Sequence, residues 1–350
     1  MTTLANHLLL DALQGKPVHR PPVWFLRQAG RYQAAYRALR QQCPDFMTFC
    51  QQAELTTQAA LIPIEDYHLD AAILFSDILT IPAALGMELH FLPEQGPVFS
   101  HPIRTTSDLE ALAPQQALAK LTYVENAVLS LKKALKSQLP LIGFCGSPWT
   151  LATYMIEGKS SKTFHHAKAS LFATPELVHR LLALLTDLSI AYLDMQIAAG
   201  ADTVMIFDSW GGILSREDYQ IFSLDYMEKI VNTIKTRHHN KVPVIVFTKG
   251  GNAWLDLISQ TNPHAISIDW TLPIDVARTM IPNHITIQGN LDPCVLFADH
   301  ETIKQRALEM LKAHCNQPGY IANLGHGILP TTDPQKVATL ADTILHFKNA

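Results

Sequence analysis

Short apolar runs recur at eight places along this 350-residue chain, and each is followed by a stretch with helical periodicity. Runs of this length predict buried strands, because a parallel strand covered on both sides has no solvent-facing residues. Strands that alternate with helices predict an α/β fold, the (β/α)8 or TIM barrel, in which helices surround a closed parallel sheet. The predicted strands are residues 23–26, 71–75, 141–144, 203–207, 242–247, 265–268, 285–287 and 320–323.

The clearest helix signal is Thr174-Pro175, an N-cap residue followed by proline at the first helical position; this helix is predicted to run to about Gly200. The alternative architecture, a doubly wound open sheet, would need a Gly-x-Gly-x-x-Gly motif after an early strand, and the sequence has none. Residues 32–69 are predicted to be a helix-rich insertion without a domain of its own. We therefore expect a single domain over residues 1–350.

Composition limits the possible classes of function. With 48% hydrophobic and 17% charged residues the chain can bury a large core, and its net charge of −4 argues against nucleic-acid binding. Five cysteines, with no Cys-x-x-Cys pair, indicate a reduced intracellular protein without a disulfide framework or a cysteine zinc site. We expect no signal peptide and no membrane segment, because no apolar run approaches the roughly 18 residues of a span. A strongly anionic substrate would need a local basic cavity.

Polar side chains stand at the ends of the predicted strands or just after them. In a barrel the carboxyl ends of all strands meet at one face, where the βα loops build the active site. The sequence therefore predicts one mouth surrounded by these side chains at the C-terminal face. They are Arg27, Asp77, Ser147, Ser209, Lys249, Asp269, Gln288 and His326.

The first predicted strand opens into Arg27-Gln28-Ala29-Gly30-Arg31. Arginines at this spacing can aim two guanidinium groups at one anion, and Gly30 lets the backbone approach a ligand closely. Guanidinium groups bind carboxylates and phosphates in planar, bidentate geometry. The alternative is a pair of solvated loop arginines, but the buried-looking run before them favours an anion site.

Seven segments, in order along nearly the whole chain, resemble motifs of the uroporphyrinogen decarboxylase family. They are PPVWFLRQAGRYQAAYR (21–37), FSDIL (75–79), GFCGSPW (143–149), FDSWGG (207–212), FTKGG (247–251), QGNLDP (288–293) and LGHGILP (324–330). The resemblance implies a lyase of porphyrin and haem biosynthesis that removes the carboxyl groups of the four acetate side chains of uroporphyrinogen III, giving coproporphyrinogen III and four CO2. It also implies a cytoplasmic homodimer that uses no metal or organic cofactor.

The resemblance further implies roles for residues at the predicted mouth. Asp77 is expected to accept hydrogen bonds from the pyrrole N–H groups of the substrate and to stabilise positive charge on the ring. Taken alone, an aspartate at this position could instead cap the next helix. Arg27 and Arg31 are expected to bind substrate carboxylates and to complete the catalytic set with Asp77. The expected substrate-binding residues are Arg27, Gln28, Ala29, Gly30, Arg31, Asp77, Tyr154, Ser209 and His326.

The last three of these residues come from separate parts of the chain. Tyr154 and Ser209 are expected, by the same resemblance, to offer hydroxyl groups to substrate carboxylates or to the ring system. His326 lies between two glycines after the last strand and is expected to donate to a carboxylate; the segment alone could also be a barrel phosphate site. No metal site is expected, since adjacent histidines such as His238-His239 point about 100° apart on a helix.

Two other functions remain open at this point. Zinc-dependent corrinoid methyltransferases of the same fold need a His-x-Cys pair, whereas this chain has His314 directly before Cys315. A non-catalytic tetrapyrrole-binding protein is the second alternative, although a carrier has little need for the carboxylate of Asp77 beside the two arginines. Metal analysis and CO2 release would separate these possibilities from decarboxylation.

Overall fold

The computed structural model describes residues 4–92, 96–314 and 318–348. Within them the strands are β1 (Ala72–Ile73), β2 (Leu89–Leu92), β3 (Gly96–Phe99), β4 (Leu141–Gly146), β5 (Thr203–Asp208), β6 (Val244–Thr248), β7 (Ala265–Ser267), β8 (Thr286–Leu291) and β9 (Tyr320–Leu324). The helices are α1 (Leu8–Leu13), α2 (Ala34–Gln42), α3 (Phe46–Cys50), α4 (Ala53–Tyr67), α5 (Thr80–Ala84), α6 (Thr106–Glu110), α7 (Pro114–Lys120), α8 (Thr122–Leu135), α9 (Pro148–Glu157), α10 (His165–Ala173), α11 (Pro175–Ala198), α12 (Arg216–Tyr219), α13 (Asp225–Arg237), α14 (Leu255–Gln260), α15 (Ile274–Met280), α16 (His300–Ala313) and α17 (Pro334–Leu345). Short 3-10 turns at Gly211–Ile213, Asn252–Trp254 and Pro293–Phe297, and a π-helical turn at Gln220–Leu224, complete the elements.

Seven strands form one parallel sheet in the order β1-β4-β5-β6-β7-β8-β9. Each of them coincides with a strand predicted from an apolar run, and β4, β5 and β6 are buried along almost their whole length. Helices intervene between successive strands of the sheet, which is how parallel neighbours must be connected. The other two strands, β2 and β3, pair antiparallel as a separate hairpin. The predicted α/β class is confirmed.

The apolar run at 23–26 does not form a regular strand. Val23 makes an isolated parallel bridge with Ala322 of β9, and the Asp70 N–H donates to the Val23 carbonyl at 2.8 Å. Side chains replace the rest of the ladder, because Asp70 Oδ2 accepts from the Val23 N–H and Asn323 Oδ1 accepts from the Leu26 N–H. The run therefore contacts both β9 and the segment that leads into β1, but the expected eighth strand is reduced to a single bridge.

The insertion predicted between the first two strands is helical, as expected. Helices α2, α3 and α4 occupy it, and they enclose a small apolar cluster separate from the main core. Phe75, just after β1, packs against this cluster and so joins the insertion to the sheet. The insertion thus supports the strand end that carries Asp77.

The predicted long helix is α11, which begins at Pro175 directly after Thr174 and ends at Ala198. By length and composition alone it could cross a membrane, but half of its most apolar window is buried inside the protein. Its buried side packs against β4 and β5 and against α9 and α13. These contacts are those of a core helix.

Candidate active site

Arg27 is held at the end of the apolar run by an unusual backbone conformation. Its φ is +56°, in the left-handed region that residues with a side chain rarely adopt. Arg27 is exposed to solvent. The Ile328 N–H donates to the Leu26 carbonyl at 3.0 Å, which brings the turn after β9 against Arg27. A Cβ on Gly327 would lie 2.6 Å from the Arg27 Cγ. The arginine side chain therefore runs directly over the Gly327 backbone.

Asp77 follows β1 at the same edge of the sheet. Its Oδ1 accepts one hydrogen bond, from the Leu79 N–H at 2.8 Å, just before α5 begins at Thr80. This bond closes a local turn ahead of α5, whose N-cap residue is Leu79 and has no side-chain cap, so Asp77 is not the cap of that helix. Burial raises the pKa of the Asp77 carboxyl above its ordinary value, while the Leu79 N–H and the Arg27 guanidinium act in the opposite direction. Asp77 is thus a half-buried carboxyl group within the electrostatic reach of Arg27.

His326 lies in the turn after β9. The pKa of its imidazole is lowered to about 4, chiefly by burial and also by the positive charges of Arg27 and Lys249, while the charge of Asp269 acts in the opposite direction. Its ring packs 6.2 Å from that of Phe247 at the end of β6. At neutral pH the imidazole is therefore uncharged, with one nitrogen as donor and the other as acceptor.

Tyr154 and Ser209 enter the site from α9 and from the end of β5. The Tyr154 ring lies 6.1 Å from Trp210 and 6.4 Å from Phe164. Burial raises the pKa of the Tyr154 hydroxyl, which also experiences the charges of Asp77 and Arg27. Ser209 is half-buried next to Trp210 in the chain.

These interactions connect four predicted site residues in one place. The charge of Arg27 influences the pKa of Asp77, of His326 and of Tyr154. Arg31 is different: it is exposed, and the residue whose pKa its charge influences is Tyr36 on α2. The structure therefore groups Arg27, Asp77, Tyr154 and His326 around the charge of Arg27, whereas the charge of Arg31 acts on a residue of α2.

The remaining predicted residues of the arginine loop have backbone roles. The Gln28 side chain is buried; its Oε1 accepts from the Phe25 N–H and its Nε2 donates to the Ala71 carbonyl. Ala29 and Gly30 are half-buried, and the Gly30 N–H donates to the side chain of Gln33. Gln28 thus joins the loop to β1, so that any substrate contact would come from the backbone of this segment.

Three of the strand-end residues expected around the mouth bind the scaffold instead. Gln288 is fully buried inside the sheet, where it accepts from Trp24 Nε1 and donates to Ser267. Ser147 caps α9 and donates to Asp208. Asp269 accepts from the Gly250 N–H at 2.7 Å and from Asn252 Nδ2, and so orders the loop after β6.

Asp208, which sequence reasoning did not assign a role, is the centre of a buried polar network. Its Oδ1 accepts from the hydroxyl groups of Ser147 and Thr150, and its Oδ2 accepts from Ser223 in the π-helical turn. Burial raises the pKa of this carboxyl group, and the hydroxyl donors oppose the rise. Since Asp208 directly precedes Ser209, the network fixes the strand end that carries that hydroxyl. The signals in the sequence were its position at the end of an apolar strand and its place in the segment FDSWGG at 207–212.

We expect the stability of the fold to decrease between about pH 6.5 and pH 4. Burial lowers the pKa values of both His264 and His326 to about 4, so in this range the unfolded chain binds protons that the folded chain does not. His264→Asn keeps an acceptor for the Val244 N–H and should weaken the pH dependence, whereas substitution of the exposed His19 should not. Thermal unfolding at a series of pH values measures the effect, and an identical pH dependence in His264→Asn would contradict it.

The fold and this site define a class of protein: a parallel α/β enzyme with a carboxylate, a guanidinium and a neutral imidazole at the C-terminal ends of its strands. A family model described as "Uroporphyrinogen decarboxylase (URO-D)" matches residues 4–347. The chain is 48% identical over 345 residues to the uroporphyrinogen decarboxylase of Alkalilimnicola ehrlichii, covering 98% of this chain and 94% of that one. It is 49% identical over 336 residues to that of Hydrogenovibrio crunogenus, covering 96% and 95%. The chain belongs to the uroporphyrinogen decarboxylase family.

Solved structures show where else this fold occurs. A methyltransferase from Methanosarcina mazei superposes with a TM-score of 0.81 at 21% identity over 99% of both chains. A B12-independent methionine synthase from Shewanella sp. W3-18-1 superposes with a TM-score of 0.52 at 10% identity, covering 84% of this chain and 89% of that one. At these identities the likeness concerns the fold alone. Among the described residues no three His, Cys, Asp or Glu side chains are grouped to hold a metal ion, and Cys315 lies outside them.

Proposed function

We propose that this chain decarboxylates the four acetate side chains of uroporphyrinogen III to give coproporphyrinogen III and four CO2, in porphyrin and haem biosynthesis. The observation that carries this proposal is the carboxylate of Asp77 within the electrostatic reach of the Arg27 guanidinium, in a chain that matches the decarboxylase family over residues 4–347. Relatives that align over almost their whole length are named uroporphyrinogen decarboxylase. Zinc-dependent methyl transfer and non-catalytic tetrapyrrole binding are not favoured.

The reaction needs an electron sink, which the substrate itself can provide. Protonation of a pyrrole carbon makes the ring cationic; the C–C bond to the departing carboxylate then breaks, and its electron pair neutralises the ring. CO2 departs in this step; a proton is then added to the side-chain carbon and the first proton leaves the ring carbon, so that the pyrrole is restored and one proton is taken up for each CO2 released. The protein must therefore hold the carboxylate, bind the ring and stabilise its transient positive charge.

Asp77 fits the stabilising role. A carboxylate accepts hydrogen bonds only, so it can receive the pyrrole N–H groups and oppose the positive charge of the protonated ring. Burial strengthens this interaction, because a charge in a desolvated site is screened less than one in water. Asp77 has one Oδ1 contact, to the Leu79 N–H, and the carboxylate has further lone pairs for substrate donors.

Arg27 fits the role of holding the reacting carboxylate. Its guanidinium offers a planar fork to carboxylates and is anchored over Gly327, close enough to influence both Asp77 and His326. His326, Tyr154 and Ser209 would donate to the other carboxylates of the substrate, and the exposed Arg31 would bind one at the rim. An arginine is a poor general acid because its pKa exceeds about 12, so we assign Arg27 to orientation and charge stabilisation.

We propose that the sheet is completed as an eight-stranded barrel in a single domain over residues 1–350. The contacts of Val23 with Ala322 and with Asp70 support this closure, since they place the run at 23–26 between the two ends of the seven-stranded sheet. The mouth would then lie at the C-terminal face. Deuterium exchange tests the closure: slow exchange at the Val23 and Ala322 amides supports it, and rapid exchange of both contradicts it.

We also propose a cytoplasmic homodimer without nucleic-acid or membrane partners. Two large apolar side chains that follow neighbouring strands at their C-terminal ends support an assembly through this face: Trp270 is 40% exposed and Phe297 is 52% exposed. Analytical ultracentrifugation of the full chain would show a dimer, and a monomer at micromolar concentration would contradict the assembly. Cell fractionation tests the location.

Turnover is the direct test of the proposed function. Chelator-treated protein is mixed anaerobically with uroporphyrinogen III, and the products are oxidised and separated by the number of carboxyl groups. We expect hepta-, hexa-, penta- and tetracarboxylate products, formed without added metal or cofactor. Octacarboxylate that remains unchanged in the presence of folded protein would refute the proposal.

A further inference from the structure

Lys249 is a strand-end residue whose backbone is fixed from both sides. It directly follows β6, where its N–H donates to the Asp208 carbonyl and its own carbonyl accepts from the Gly212 N–H, both at 3.1 Å. The two loops meet so closely that a Cβ on Gly212 would lie 2.8 Å from the Gly250 Cα. The Asp208 network and the close approach of Gly212 and Gly250 therefore fix the backbone position of Lys249.

The Lys249 ammonium group lies at the same site as the residues described above. Its Nζ is 5.7 Å from the centre of the Trp210 ring, which is itself in contact with Tyr154. Its charge also lowers the pKa of His326, as does that of Arg27. Lys249, Arg27, Tyr154 and His326 thus share one electrostatic environment.

Lys249 has no anionic partner in the part of the chain that the structure describes. No carboxylate there lies within 4 Å of its Nζ, and the nearby Asp269 is already bound by Gly250, Asn252 and Thr271. Lysine over an aromatic ring can simply be packing, because its aliphatic stem is apolar. However, a half-buried ammonium group without a counter-ion is able to bind an anionic ligand. Lys249 also lies near Arg27 and His326, which are both expected to bind carboxylates.

We propose that Lys249 binds a peripheral carboxylate of the tetrapyrrole substrate, at a position set by Trp210 and next to the one bound by His326. This inference rests on the proposed function and adds a third cation to a site in which Arg27 and Arg31 were the only ones assigned. An octacarboxylate offers more anionic groups than two arginines can bind. A carboxylate that does not react keeps this contact in both the ground state and the transition state.

The test is steady-state kinetics of the full chain carrying Lys249→Met, which keeps the stem over Trp210 but removes the charge. We expect KM for uroporphyrinogen III to rise about ten-fold, the effect of one partly exposed charge-assisted hydrogen bond, with kcat nearly unchanged. Lys249→Arg should recover most of the loss. The dependence of KM on salt concentration should also become weaker in Lys249→Met, since one ionic contact is gone.

The matched control is Lys241→Met, which changes the net charge equally just before the other end of β6, where Lys241 is exposed. Its KM should equal that of the wild type. An unchanged KM in Lys249→Met, with an active wild type, would overturn the inference and leave the proposed function intact. A lower melting temperature with unchanged KM would assign Lys249 to packing and also overturn it. A folded wild type without turnover would overturn both proposals.

Discussion

Asp77→Asn lowers kcat by about 1,000-fold while the protein remains folded; this is the largest effect that we expect from a single substitution. The amide keeps the shape of the side chain and the bond from the Leu79 N–H, but it loses the negative charge that stabilises the protonated pyrrole ring. Its NH2 group would also oppose the ring N–H donors. KM should change less than kcat, because the charge matters most when the ring is cationic.

The folding stability of Asp77→Asn should not decrease along with its kcat. Burial raises the pKa of Asp77 in the folded state, so between its ordinary and its raised pKa the folded chain keeps a proton that the unfolded chain has lost. Above both values the folded chain holds a carboxylate that would be better solvated in the unfolded chain. Stability contributed by this group therefore decreases as pH rises, and Asp77→Asn should melt at the same temperature as the wild type or higher at neutral pH. A loss of activity with equal or greater stability is typical of a functional residue.

The measurements for Asp77 are single-turnover CO2 release and calorimetric unfolding, with Asp225→Asn as the control. Burial also raises the pKa of Asp225, but this residue lies on α13, away from the site. Its substitution should leave kcat unchanged. Near-normal turnover in Asp77→Asn would refute the central role of the carboxylate, and low turnover in Asp225→Asn as well would indicate a nonspecific effect of removing a charge.

Seven strands could be predicted from the sequence because the pattern that predicts each of them lies within the strand itself. Apolar runs such as those of β5 and β6 are buried on both sides, and no other element of that length suits them. The run at 23–26 has the same composition, yet the N–H groups of Val23 and Leu26 donate to the side chains of Asp70 and Asn323 and not to a neighbouring strand. Those partners are 47 and 297 residues away along the chain, and an apolar pattern does not record them.

The site was predictable to a similar extent. The order of strands places Arg27, Asp77 and His326 at one edge of the sheet, and the structure brings them into one electrostatic environment. Position at a strand end does not reveal which way a side chain points, and Gln288 turns into the sheet interior instead. Asp208 was overlooked for the same reason, since its partners come from the N-terminal end of α9 and from the π-helical turn.

Gly327→Ala is the second substitution from which we expect a large effect, although Gly327 would not itself bind substrate through a side chain. The added methyl group would lie 2.6 Å from the Arg27 Cγ and 3.0 Å from its Cβ, so the arginine must leave its place over the turn. Because an arginine–carboxylate pair is charge-assisted and bidentate, we expect kcat/KM to fall about 100-fold, as it would in Arg27→Ala.

A double-mutant cycle separates this mechanism from a general disturbance of the turn. If Gly327 acts only by leaving room for Arg27, the two substitutions remove the same interaction, and Arg27→Ala/Gly327→Ala should be no worse than either single variant. The double variant also lacks the Cγ and Cδ atoms that the new methyl group would meet, so its melting temperature should exceed that of Gly327→Ala. Losses in kcat/KM that multiply in the double variant would show that the glycine serves the site independently of Arg27. The chain would then use the turn after β9 itself, through His326 or its backbone N–H groups, to hold the substrate.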